Sequence, residues 1–196
     1  MPSLLEAVSE QIGSDQINAI ANRLGASPEQ TEQAIQMALP TLLAALAKNA
    51  ENEDGAAQLH AAVSRDHDGS ILERLGGMFE GSANQSSSAG SLLARILGSR
   101  QSRVEQGIGK AAGLDVMKAG SLLAMLAPIV MGIIGRQTRG GKMDSGALAG
   151  MLRKERQTME KQATGGLLGG LLDQDGDGDF DFQDILKMGF KKLMGR

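Results

Sequence analysis

Between Leu171 and Leu186 the chain reads LLDQDGDGDFDFQDIL, and six of these sixteen residues are Asp. From Asp173 the spacing is D-x-D-x-D-G, followed after five residues by Asp184. An EF-hand calcium loop needs oxygens at positions 1, 3 and 5, Gly at 6 for a sharp turn, a backbone carbonyl at 7 and a carboxylate at 12. Asp173, Asp175, Asp177, Gly178, Asp179 and Asp184 fill those positions, and Asp181 at position 9 can bind through water. Phe180, at position 8, is placed to anchor the loop on a core. Carboxylates this crowded repel one another, and a hard divalent cation removes the repulsion. Ca²⁺ suits a flexible oxygen cage better than Mg²⁺, which demands a near-ideal octahedron. The competing reading is a solvated acidic turn that caps FQDILKMGFKKL, a helix that Asp184, Lys187, Lys191 and Lys192 favour with or without an ion.

Two features depart from the EF-hand pattern. Position 12 is Asp, one methylene shorter than Glu, so a bidentate grip requires the exit helix to approach; dockerin-type calcium loops, which the stretch resembles, also use Asp there. The preceding ATGGLLGGLL is rich in Gly and forms helix poorly. The acidity is local. Net charge is −3, and without these six Asp the rest of the chain is +3.

A fainter version of the motif occurs earlier. In SRDHDGSILERLGG, Ser64, Asp66, Asp68, Gly69 and Ile71 fit positions 1, 3, 5, 6 and 8, but position 12 falls on Leu75. Glu73 is near enough to substitute, and Ser70 joins the candidate ligands of a second metal site. The alternative is an Asp/Gly turn with Ser70 as the N-cap of ILERL. Were the two loops to pair, Ile71 and Phe180 would meet.

Catalytic residues are scarce. There are two His, His60 and His67, and no Cys or Tyr. His60 sits on an Ala-rich helical stretch and reads as a half-buried filler. The expectation is a protein that is not an enzyme; a metal-dependent hydrolase built on the Asp cluster is the distant alternative.

The elements that must carry these residues are helical. The chain has 196 residues, 41% hydrophobic, with four Phe and no Tyr or Trp. Its core is therefore Leu, Ile, Val, Ala and Met, a composition that with 27 Gly and four Pro favours helices joined by Gly-capped turns. Ser3 precedes LLEAVSEQI, which stops at Gly13; Ser14 precedes DQINAIANRL, which stops at Gly25. Ser27-Pro28-Glu29-Gln30 supplies an N-cap, a Pro at the first helical position and a Gln at the third. Pro40 is expected to kink or divide the helix that follows.

A shift of 88 residues aligns the chain with itself. Ser3-Leu4-Leu5 falls on Ser91-Leu92-Leu93, Gly25 on Gly113, Ser27 on Asp115, and Pro40 on Pro128. The register predicts two tandem helical repeats of four to five helices each. Residues 1–80 form the first, GSANQSSSAG (81–90) the linker, 91–165 the second, and 166–196 the Gly-rich approach, the Asp loop and a short C-terminal helix.

Two further stretches need weighing. AGSLLAMLAPIVMGIIG (119–135) is uncharged and at the lower limit of a membrane span. Its repeat counterpart, QAIQMALPTLLAALA, is amphipathic, so a buried helix is expected, with membrane association the alternative. INAIANRLGASPEQTEQAI has helix-turn-helix spacing, yet its second helix offers Glu29, Gln30, Glu32 and Gln33 and no cation, so no nucleic acid is expected as a partner. The start, MPSLLEAVSEQIG, has no basic n-region, and with no cysteine in the chain a cytoplasmic location is expected.

QMALPTLLAALAKNA, RDHDGSILERLGG, LLAMLAPIVMGIIGRQ and GGLLGGLLDQDGDGDFDFQDIL together resemble the bacterial proteins grouped as domain of unknown function 937, with YidB-like relatives. The resemblance implies a small helical bacterial protein and carries no catalytic residues. The expectation is an all-α protein: a calcium-stabilised helical binding or scaffold module that meets a protein partner or its own copies.

Overall fold

Ser3 opens the first helix, α1 (Leu4–Gln11), with a capping box: its hydroxyl accepts from Glu6 N at 3.0 Å, and the Glu6 carboxylate accepts from Ser3 N at 2.7 Å. The computed structural model describes residues 3–66, 69–74, 84–138 and 143–165. α2 (Ser14–Leu24) starts one residue earlier than its sequence suggests, because Gly13 is the N-cap and donates its N–H to Gln16 Oε1 at 3.1 Å. Gly25 ends α2 in the left-handed region at φ 59°, where an L side chain would be strained. Ser27 then caps α3 (Pro28–Asn49), again reciprocally with Gln30. α4 (Glu53–Asp66) is followed by a 3-10 helix (Ser70–Arg74).

The remaining helices are α5 (Asn84–Leu97), a short 3-10 turn (Gly98–Arg100), α6 (Gln101–Ala112), α7 (Val116–Thr138) and α8 (Ser145–Gly165). There is no strand among the described residues. α5 begins at Asn84, so most of the stretch read as a linker is its first turns; NQSSSAG contains no Pro to prevent this.

Pro40 does not divide its helix. α3 runs unbroken through it, as α7 does through Pro128. The lost donor is tolerated because the flanking residues are locked in the core: Leu39, Leu42 and Leu43 are buried, as are Ala127 and Ile129. Beside Pro40, the Thr41 hydroxyl donates to Met37 O at 2.8 Å and occupies a carbonyl next to the disturbed turn.

α3 and α7 form the centre. Leu42, Leu43 and Leu46 of the one and Leu122, Leu123, Leu126 and Ile129 of the other are almost wholly buried, each stabilising by about 1.5–3 kcal/mol relative to exposure. A single hydrophobic core draws on every α-helix from α1 to α8. By length and composition α7 could cross a bilayer, but 67% of its most apolar window is buried within the protein.

Packing between the two halves is reciprocal. α1 packs on α7 and α5 on α3; α2 packs on α7 and α6 on α3; α4 packs on α7 and α8 on α3. α3 meets α7, and α4 meets α8. Two long-range hydrogen bonds follow the same rule. Gln30 Nε2 of α3 donates to Gly113 O at the end of α6, at 2.8 Å; Lys118 Nζ of α7 donates to Gly25 O at the end of α2, at 2.7 Å.

Candidate functional site

The Asp173–Asp184 stretch lies outside the described residues, as do His67, Asp68, Leu75 and Phe180. Ser64 is exposed in the last turn of α4, Asp66 ends that helix, and Ser70 and Glu73 belong to the 3-10 helix. Gly69 has φ 91°. Its bare Cα lets the chain come down on α7, since a Cβ there would lie 3.1 Å from Arg136 Cβ. Ile71 then packs on Gly132 of α7, so closely that a Cβ on Gly132 would sit 2.6 Å from Ile71 Cγ2. Ile71 is thus used to dock the 3-10 helix on α7. Among the described residues, no group of three His, Asp or Glu is placed to hold a metal ion.

His60 is half-buried on α4, and its Nε2 donates to Met143 O at 2.9 Å, tying α4 to the start of α8. Glu155 of α8 is buried at 8% exposure. Its Oε1 accepts from Leu5 N at 2.8 Å. Leu5 N is one of the donors that the first turn of α1 leaves without an intrahelical partner, and a carboxylate there also complements the positive end of the helix. Both side chains do structural work at helix ends. Arg156, one residue on, pairs with Glu51 Oε1 at 2.7 Å and fastens α8 to the residues after α3.

An open apolar groove of about 530 Å³ is built where α5, α6 and the start of α7 meet the end of α2. Leu24, Leu93, Ala124 and Met125 line it, and Val116 and Met117 stand at its edge. Met117 is 84% exposed and Val116 43%; they are the large hydrophobic side chains the described surface leaves out. Asp115 Oδ1 accepts from Lys118 N at 2.9 Å and so caps the first turn of α7, the turn that carries Val116 and Met117. One end of the groove is polar. Gln101 Nε2 donates to Glu105 Oε1 at 2.7 Å, and Glu105 lies over Gly120, where a Cβ would come within 3.0 Å of its carboxylate. The volume fits a small molecule or a few apolar side chains, and an exposed thioether adapts its shape to what it meets.

The sequence reading did not find this groove, because its walls come from four elements distant in the chain. Nor did it register how charge divides between the halves. Residues 1–80 hold 4 Lys/Arg against 12 Asp/Glu, and residues 91–165 hold 12 against 5. A count by half would have shown it.

No curated protein matches the chain. No solved structure matches it either. One family model does, described as bacterial protein of unknown function (DUF937), over residues 6–137. The match runs from α1 nearly to the end of α7 and stops short of the Asp-rich stretch; kinship with the YidB-like proteins rests on the sequence resemblance alone. With two thirds of its length matched from the first helix through the central pair, the chain belongs to the DUF937 family of bacterial proteins.

Proposed function

We propose that this protein is a non-enzymatic helical binding module, and that the groove beside Met117 receives an apolar segment of its partner. The observation that carries this reading is the pairing of an open apolar cavity with two large hydrophobic residues left exposed at its edge. The described His is engaged with a main-chain carbonyl, and the chain has no Cys or Tyr to serve as nucleophile or acid, which favours binding over catalysis.

The module is read as two like units, α1–α4 and α5–α8, joined about a local two-fold axis. Supporting this are the 88-residue register, the left-handed Gly25 and Gly113, the embedded Pro40 and Pro128, and the reciprocal bonds of Gln30 and Lys118, which are 88 residues apart. Isologous contacts of this kind are what two-fold packing of equal units produces. Beyond them, Asp173, Asp175, Asp177, Asp179, Asp181 and Asp184 are proposed to bind Ca²⁺, so that ion binding contributes folding energy to the C-terminal segment. A second reading, membrane association through α7, draws on that helix's length and hydropathy; its burial weighs against it.

A groove of this kind takes up an anilinonaphthalene sulfonate dye. The full-length protein should bind it saturably, and Ala124→Trp, which fills the cavity, should weaken binding at least tenfold with helical content unchanged. Dye uptake that is absent, or indifferent to Ala124→Trp, would overturn the reading.

A further inference from the structure

The two halves are built alike but charged oppositely, and this property lies on faces other than the groove. At the α5–α6 corner Arg95 and Arg103 are exposed, with Arg100 between them. Asn49 Nδ2 donates to Ile96 O at 2.9 Å and brings the exposed Lys48, at the end of α3, to the same corner. The acid in this part of the chain, Glu105, is held by Gln101 over Gly120. At the α1–α2 corner Glu10 and Asp15 are exposed, and Asp15 stands 88 residues before Arg103.

These corners cannot neutralise each other within one chain. In the two-fold arrangement proposed above, on which this step rests, the bonds Gln30–Gly113 and Lys118–Gly25 set the C-terminal ends of α2 and α6 beside the local axis. Both corners lie at the opposite ends of those helices, about 16 Å away along an 11-residue helix, on opposite sides of the axis. A second copy meets no such restriction. It presents a negative corner on the same helical frame as the positive corner it would approach.

We propose that the protein associates with itself head to tail, the α1–α2 corner of one copy docking on the α5–α6 corner of the next. Such a contact is heterologous, so it continues into a ring or an open chain of subunits instead of stopping at a symmetric dimer. It is steered by charge and therefore sensitive to salt: the screening length falls from about 30 Å at about 0.01 M to about 8 Å at about 0.15 M ionic strength.

Sedimentation velocity of the full-length protein tests this. At low ionic strength, species larger than a monomer should grow with concentration, and association should weaken at least tenfold at the higher salt. Arg95→Glu with Arg103→Glu should abolish it, and so should Glu10→Lys with Asp15→Lys. Mixing the two reversed variants should restore association, because each now carries the complement of the other's changed corner. Circular dichroism checks that the variants are folded; if either pair fails to fold, Lys48→Glu with Arg100→Glu replaces the first and Glu10→Lys alone replaces the second. A wild-type protein that stays monomeric at low salt overturns the proposal, as does a mixture that stays monomeric. Binding of the wild type to anionic vesicles without self-association also overturns it, and assigns the basic corner to a lipid surface.

Discussion

Gly132→Ala is the most informative single change. An added Cβ would lie 2.6 Å from Ile71 Cγ2, against about 3.5–4.0 Å for a comfortable carbon–carbon contact. Roughly 1 Å must be recovered by moving a β-branched side chain or the 3-10 helix that carries it. Overpacking of this size costs about 1–3 kcal/mol. Against it, Ala gains about 1 kcal/mol over Gly inside a helix. Gly150 of α8 isolates that second effect, since nothing lies within 4 Å of its would-be Cβ. Gly150→Ala should therefore stabilise, and Gly132→Ala should fall below it by about 1–3 kcal/mol, or several degrees in melting temperature. Ile71→Ala removes the clashing atom and leaves a space that the new methyl partly fills. The double variant should then be more stable than the sum of the single changes by about 1 kcal/mol or more. Urea unfolding of the four proteins measures this cycle. Equal stability of Gly132→Ala and Gly150→Ala, or strict additivity with Ile71→Ala, would refute the close approach of the 3-10 helix to α7.

Other consequences are equally direct. Glu155→Leu leaves Leu5 N without its acceptor and should cost about 1–3 kcal/mol by urea unfolding, whereas Glu155→Gln keeps an acceptor and should cost less. Gln30→Met and Lys118→Met should each cost about 0.5–1.5 kcal/mol; a large loss from one and none from the other would contradict the reciprocal arrangement. The Glu29 carboxyl is held below the ordinary carboxylate range by its own backbone N–H and by the Ser27 hydroxyl, so its stabilising contribution is present above the unfolded pKa and fades as pH falls through the folded one. In an NMR titration Ser27→Ala should move Glu29 upward; no movement would remove the hydroxyl as a cause. Calorimetry on chelator-treated protein should show calcium binding that Asp173→Ala with Asp177→Ala abolishes, and absence of heat in the wild type would exclude the proposed ion.

Much of the helical framework is local chemistry and could be read without coordinates. Ser3 and Ser27 with their reciprocal Glu6 and Gln30, Pro28 in a first turn, and glycines that leave α2 and α6 in the left-handed region all act within four or five residues. The all-helical class follows from those signals and from a core that lacks large aromatics. Where two local signals compete, a boundary moves: Gly13 takes the cap that Ser14 suggests, and NQSSSAG joins α5 because nothing in it forbids a helix.

Only the tertiary structure decided the rest, because it depends on which surfaces come within a few ångströms of each other. Pro40 and Pro128 stay inside continuous helices because the core grips the residues beside them, an effect invisible to propensity. The apolar run at 119–135 becomes the centre of a bundle once its neighbours surround it. Ile71 is an anchor on α7 because Gly132 and Gly69 remove the two Cβ atoms that would hold the elements apart. The groove beside Met117 exists because an Asp115 cap, a bare Gly120 and the end of α2 meet in space. Hydrogen-bond caps reach only to the next turn and are written in adjacent residues; close approach and burial belong to pairs of helices, and the chain must fold before they have a value.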